Sequence, residues 1–183
     1  MGSALEVFES VQQSQLLGSK HHHWVERTQY YCDFLTSFPH SPRIILSHSD
    51  PIEFLAGFVA ACIHECPVFL GNPTWSIQEW RQVLDLAQPH LVWGKIPLPV
   101  GDNAPKASNP PEKGWIMIPT GGSSGQIKFA IHTWATLTAS VTGFQTFFAI
   151  TSIHSCCVLP PDHVSGLMQF LRSLLTNGQF LVI

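Results

Sequence analysis

Residues 43–73 read RIILSHSDPIEFLAGFVAACIHECPVFLGNP, and this stretch decides the fold class. Arg43 to Ser47 is a short run of apolar, β-favouring residues between polar flanks, which predicts a buried strand. Asp50-Pro51 follows: a side chain able to cap a helix, then proline at the first helical position. Phe54, Leu55, Phe58 and Val59 recur at helical spacing, and the Ala56-Gly57 and Ala60-Ala61 pairs permit close approach of a neighbour. Pro67 to Leu70 predicts a second strand, closed by Gly71-Asn72-Pro73. Strand, helix and strand in this order imply parallel pairing with a right-handed crossover.

The same alternation continues outward. Ser76 and Glu79 form a capping-box signature, Ile77, Trp80, Leu84 and Ala87 line one helical face, and His90 to Trp93 reads as a third strand. Beyond a Pro-, Asn- and Gly-rich stretch come a strand at Trp115 to Ile118, a small-residue loop, and a strand at Lys128 to His132. Thr133 then caps a helix with Leu137, Val141, Phe144 and Phe148 on one face. His154 to Leu159 is a further strand, Val164 to Leu175 a helix stopped by Asn177-Gly178, and Gln179 to Ile183 the start of another strand. Upstream, Leu5 to Leu17 and Val25 to Phe38 read as helices, with His21-His22-His23 a polar surface segment between them. The expected architecture is α/β, with parallel-rich βαβ sheets and flanking helices. It is divided into a helical segment (1–40), a βαβαβ unit (41–94), a Pro-rich loop (95–114) and a second α/β unit (115–183).

Composition narrows the function classes. Charged residues make up 11% of the 183, against about 25% in an average globular protein. A chain this poor in charge and 45% apolar buries a core instead of remaining disordered. A net charge of −3 gives no electrostatic footprint for nucleic acid or an anionic membrane. The longest apolar stretch, Phe54 to Ile63, is far short of the ~20 residues a bilayer span needs. Glu6 and Glu9 interrupt any signal-peptide pattern, so the expectation is a cytoplasmic chain with reduced thiols. No pair among Cys32, Cys62, Cys66, Cys156 and Cys157 forms CxxC. Cys62 to Cys66 is read as a helix end turning into Pro67, and no metal site is expected.

The chemistry-bearing stretch is Thr120-Gly121-Gly122-Ser123-Ser124-Gly125-Gln126-Ile127-Lys128, with three glycines, three hydroxyls and one lysine between two strands. Glycines let backbone N–H groups turn toward an anion, hydroxyls donate to phosphate oxygens, and lysine adds a compact cation. The P-loop pattern fails, because Gln126 stands where its second glycine is required, and the dinucleotide fingerprint fails as well. Gly121-Gly122-Ser123-Ser124-Gly125 matches GxSxG literally. A nucleophile elbow, however, needs a helix directly after the serine, and a strand is predicted there. A Gly/Ser hairpin without a ligand is the remaining alternative.

Met117 to Lys128 resembles the phosphate-binding signature of the adenylate-forming superfamily, the acyl-CoA synthetases and their relatives. His132-Thr133-Trp134 and Pro160-Pro161-Asp162-His163-Val164-Ser165-Gly166-Leu167 are similar to further family segments. Together with Asn72-Pro73 and Gln78-Glu79-Trp80 they most resemble o-succinylbenzoate–CoA ligases of the cyanobacterial type. The resemblance implies a two-step reaction using ATP, Mg2+ and CoA. A carboxylate attacks the α-phosphorus and pyrophosphate leaves; the CoA thiolate then displaces AMP. It implies that Thr120, Gly121, Gly122, Ser123, Ser124, Gly125 and Lys128 hold ATP and the leaving pyrophosphate. It implies catalytic roles for Lys128 and His163, with His163 between the acyl pocket and the nucleotide, and Ser165 and Gly166 shaping that pocket.

Ile127 and Phe129 stand where many relatives have Pro and Gly, and Pro161-Asp162 replace the usual aromatic before His163. An anionic Asp162 is unwelcome beside a carboxylate and a triphosphate. The family's Tyr-Gly-x-Thr-Glu stretch, ribose-binding Asp, hinge and C-terminal domain have no counterpart. The expectation is therefore the N-terminal portion of such a ligase. The alternative is an inactive or split-enzyme fragment that binds nucleotide, associates with itself or pairs with a separate C-terminal chain.

Overall fold

The computed structural model describes residues 2–99, 112–120 and 126–182. Five strands form one sheet: β1 (Ile44–Ser47), β2 (Val68–Leu70), β3 (Leu91–Gly94), β4 (Ile116–Thr120) and β5 (Lys128–His132), in the order β3-β1-β2-β4-β5. The first four are parallel to their neighbours, and β5 pairs antiparallel with β4. Residues on both sides of the 95–114 stretch therefore build a single sheet, and all four parallel strands end on one carboxyl edge.

Helix α3 (Pro51–Ile63) starts as its sequence dictates. Asp50 accepts hydrogen bonds from the N–H groups of Ile52 (2.7 Å) and Glu53 (3.3 Å), with Pro51 at the first position. Its residues from Phe54 to Cys62 are all buried, because α3 lies between the sheet and two further helices, α1 (Ala4–Val11) and α2 (His21–Thr36). A helix apolar on every side belongs in such an interior position. On the opposite face of the sheet, α4 (Ile77–Ala87) opens with the Ser76–Glu79 capping box and buries Trp80, Val83 and Ala87. Ile77, expected on that face, points out, half exposed.

Strand alternation divides the core between these layers. Ile44, Leu46, Ile116 and Ile118 pack on the α3 side, while Ile45, Phe69 and Met117 meet α4. The chain then runs through α5 (Trp134–Phe148), β6 (Ser155–Cys157), α6 (Val164–Leu175) and β7 (Phe180–Val182). β6 and β7 form a separate two-stranded parallel sheet. Both α6 and this sheet contribute to the α3-side core through Cys157, Leu167, Phe170, Phe180 and Val182. The α/β architecture with parallel-rich sheets and flanking helices is thus present.

Several local expectations change. α1 stops at Val11, and Leu16 and Leu17 are buried beyond it, where the Ser14 hydroxyl accepts from the Leu16 N–H. α2 begins at His21, four residues before the expected start, so that Trp24 reaches the core between Phe8 and Phe170. His22 and His23 lie at the surface as expected. His21 does not: it is buried, with Nε2 3.3 Å from the Gln12 carbonyl. Phe148, expected on the buried face of α5, is exposed, whereas Leu137 and Val141 are buried. Among the described residues no helix is long and apolar enough to cross a membrane. Asp50→Ala should cost about 1 kcal/mol and lower Tm by roughly 2–4 °C in a thermal melt; an unchanged Tm would contradict the capping role.

Candidate functional site

The site is built from the closure of a β-hairpin. β4 carries the chain to the carboxyl edge of the sheet and β5 brings it back, with Thr120 paired directly to Lys128. The Thr120 hydroxyl donates to the Lys128 carbonyl at 3.3 Å, fixing the base of the connection. Gly121, Gly122, Ser123, Ser124 and Gly125 lie outside the described residues. Thr120 falls on the same side of β4 as Ile116 and Ile118, and Lys128 stands opposite it, so both side chains are on the α3 and α6 side. Both are exposed. Ile127 and Phe129 pack on the other side, and Phe129 meets Phe69 edge-on at 5.2 Å between ring centres. The Ile127 N–H donates to Gln82 Oε1 on α4 at 2.9 Å.

β5 follows the glycine-rich segment as an antiparallel strand, without the helix that a nucleophile elbow requires. The GxSxG match is therefore not supported by the elements around it. Carboxyl edges of parallel sheets are where α/β proteins generally hold ligands, and Thr120 and Lys128 stand at that edge.

The second family-like segment reaches the same edge through Asp162. Asp162 is buried, and the Asn72 side chain, in the loop that follows β2, favours its charged form. The Asn72 side-chain oxygen accepts from the Thr74 N–H (2.8 Å) and hydroxyl (2.6 Å). Burial pushes the Asp162 carboxyl above the usual range, against the pull of its own backbone N–H, neighbouring His163 and Asn72. The carboxyl expected to repel a bound anion is instead buried and pushed toward its neutral form.

His163 caps α6 from an extended backbone conformation; its ring makes no capping bond and is exposed. Ser165 is exposed in the first turn. Gly166 is buried, and a Cβ there would come within 2.3 Å of the Pro160 carbonyl oxygen. This glycine is what lets the 159–160 backbone cross close over α6. The structure thus brings Thr120 close to Lys128, and separately gathers His163, Ser165 and Gly166 at the start of α6.

Cys62 and Cys66 flank the turn at the end of α3, where Glu65 has a left-handed φ of 50°. Both thiols are buried; burial raises them, Cys66 to about 12. Among the described residues no three His, Cys, Asp or Glu side chains cluster as metal ligands.

The fold has solved counterparts. The chain superposes on VinN in complex with L-aspartate with a TM-score of 0.74 at 16% identity, covering 99% of this chain and 57% of that one. o-Succinylbenzoate CoA synthetase (MenE) from Bacillus subtilis, in complex with the acyl-adenylate intermediate OSB-AMP, gives 0.75 at 14%, covering 97% and 55%. The inhibitor-bound N-terminal domain of FACL13 from Mycobacterium tuberculosis gives 0.72 at 13%, covering 100% and 57%. The chain shares its fold with these structures, among them an N-terminal domain, and spans a little over half the length of each. No family model matches the sequence, and no curated protein matches it.

Asp162 makes stability depend on pH. A carboxyl raised by burial holds its proton more tightly in the folded chain. Its stabilising protonated form is fully present below the unfolded value of about 4 and is lost as pH rises through the folded value. The Tm of Asp162→Asn relative to wild type should therefore rise between pH 3.5 and neutrality and then level off. A pH-independent difference would contradict the buried-carboxyl assignment.

Proposed function

We propose that this chain supplies the polyphosphate-gripping part of an ATP-dependent acid–CoA ligase. That ligase forms an acyl-adenylate and then an acyl-CoA, with o-succinylbenzoate as the acid activated in menaquinone or phylloquinone synthesis. The observation that carries the reading is the hairpin base. Thr120 and Lys128 close it side by side at the carboxyl edge of a parallel sheet, within a fold shared with MenE. Thr120 and the segment Gly121, Gly122, Ser123, Ser124 and Gly125 line the polyphosphate with hydroxyl and N–H donors. Lys128 adds the charge that follows pyrophosphate as it leaves. His163 sits between acid and nucleotide, and Ser165 and Gly166 shape the acyl pocket, Gly166 admitting the 159–160 backbone close to α6. ATP supplies the activating phosphorus, Mg2+ accompanies its phosphates and CoA accepts the acyl group.

The fold also belongs to VinN, bound to L-aspartate, so the acid must be tested directly. o-Succinylbenzoate should support ATP–pyrophosphate exchange where aspartate does not; exchange with aspartate alone would overturn that choice. Calorimetry with pyrophosphate and Mg2+ tests the grip. Lys128→Ala should weaken binding about tenfold, or ~1.4 kcal/mol, and an unchanged affinity would remove Lys128 from the site.

A second reading, association with another copy or with a complementing chain, is favoured by the β6–β7 sheet. Parallel sheets are normally covered on both faces. Here Cys156 and Leu181 face outward, Leu181 60% exposed, along a groove of about 520 Å3 also lined by Leu17 and Lys20. Light scattering should show mass rising with concentration, and Leu181→Ser should reduce it. A monomer at every concentration would argue against self-association.

A further inference from the structure

We infer that Gln82 is the positioning residue for Lys128, setting the point from which its side chain leaves the sheet. The inference rests on the polyphosphate reading above and extends it to α4, a helix distant from Lys128 in sequence. Ile127 directly precedes β5, whose first residue, Lys128, pairs with Thr120. Gln82 Oε1 accepts the Ile127 N–H at 2.9 Å, from 45 residues away in sequence and in a half-buried setting.

The apolar contacts reinforce this bond. The Ile127 side chain packs, with Phe129 and Trp75, against the cluster of Trp80, Val83 and Met117. Ile127 is thus held to the α4 side by its backbone and by its side chain, and the next residue must project to the other side. That residue is Lys128. The support is stiff: α4 is capped by Ser76 and Glu79, and its Trp80 and Val83 are fully buried. A cation that must follow a leaving group gains from being held on such an element, since misplacement weakens electrostatic stabilisation steeply. A glutamine carbonyl suits the task because it accepts an N–H without placing a negative charge near phosphate.

Gln82→Leu tests this with the intact chain. It keeps side-chain size and helix propensity while removing the acceptor. Amide hydrogen exchange at Ile127 should accelerate by about tenfold. Pyrophosphate affinity, measured calorimetrically with Mg2+, should fall about three- to tenfold, the effect of one lost hydrogen bond. Gln82→Glu, which still accepts the N–H, should keep Ile127 protected. It guards against a folding defect and should lose affinity mainly at low salt, where the added charge repels phosphate. If wild type binds pyrophosphate and Gln82→Leu binds it equally well, the positioning role is overturned, whatever happens to Ile127 exchange. If wild type binds none, the polyphosphate reading fails, and the role of Gln82 falls with it.

Discussion

The candidate site depends on one reversal of direction. β1 to β4 all run the same way, and only β5 turns back, pairing Thr120 with Lys128 at the carboxyl edge. Had the chain continued into a helix there, as a nucleophile elbow or dinucleotide site requires, the lysine would ride on a separate element. Antiparallel closure instead ties hydroxyl and ammonium to adjacent backbone positions. It also puts them on the same side, because side chains directly opposite each other in a ladder share a face.

That face is defined by the core beneath it. α3 fills the α3 side with apolar surface along its whole length, and α4 seals the other through Trp80, Val83 and Ala87. The sheet is thereby pinned from both sides, and its carboxyl edge becomes a fixed rim. Asn72, in the loop after β2, acts on the buried carboxyl of Asp162, which directly precedes His163. Gly166 completes that arrangement by allowing the 159–160 backbone to cross without a clash.

Much of this was legible in the sequence where information is local. Asp50-Pro51 announces α3, Ser76 and Glu79 announce α4, and Val164 to Leu175 has the expected bounds because Asn177-Gly178 ends it. Strands β1 to β5 were placed to within two residues at each end by short apolar runs between turn residues. Long-range partners were not legible. Nothing near Gln82 or Ile127 signals that they bond across 45 residues, and the Asp162–Asn72 contact likewise joins distant loops. Asp162 illustrates the physical reason: sequence gives a carboxyl its ordinary charge, but only tertiary burial moves it. His21 is misjudged in the same way, since a histidine run reads as polar until Trp24 draws the first ring inward.

The central claim is that the hairpin base grips a polyphosphate, and an NMR titration of the 15N-labelled chain with pyrophosphate and Mg2+ tests it most directly. The largest amide shifts should fall between Thr120 and Lys128, with smaller ones at the start of α6. Shifts centred elsewhere, or none at saturating pyrophosphate, would contradict it.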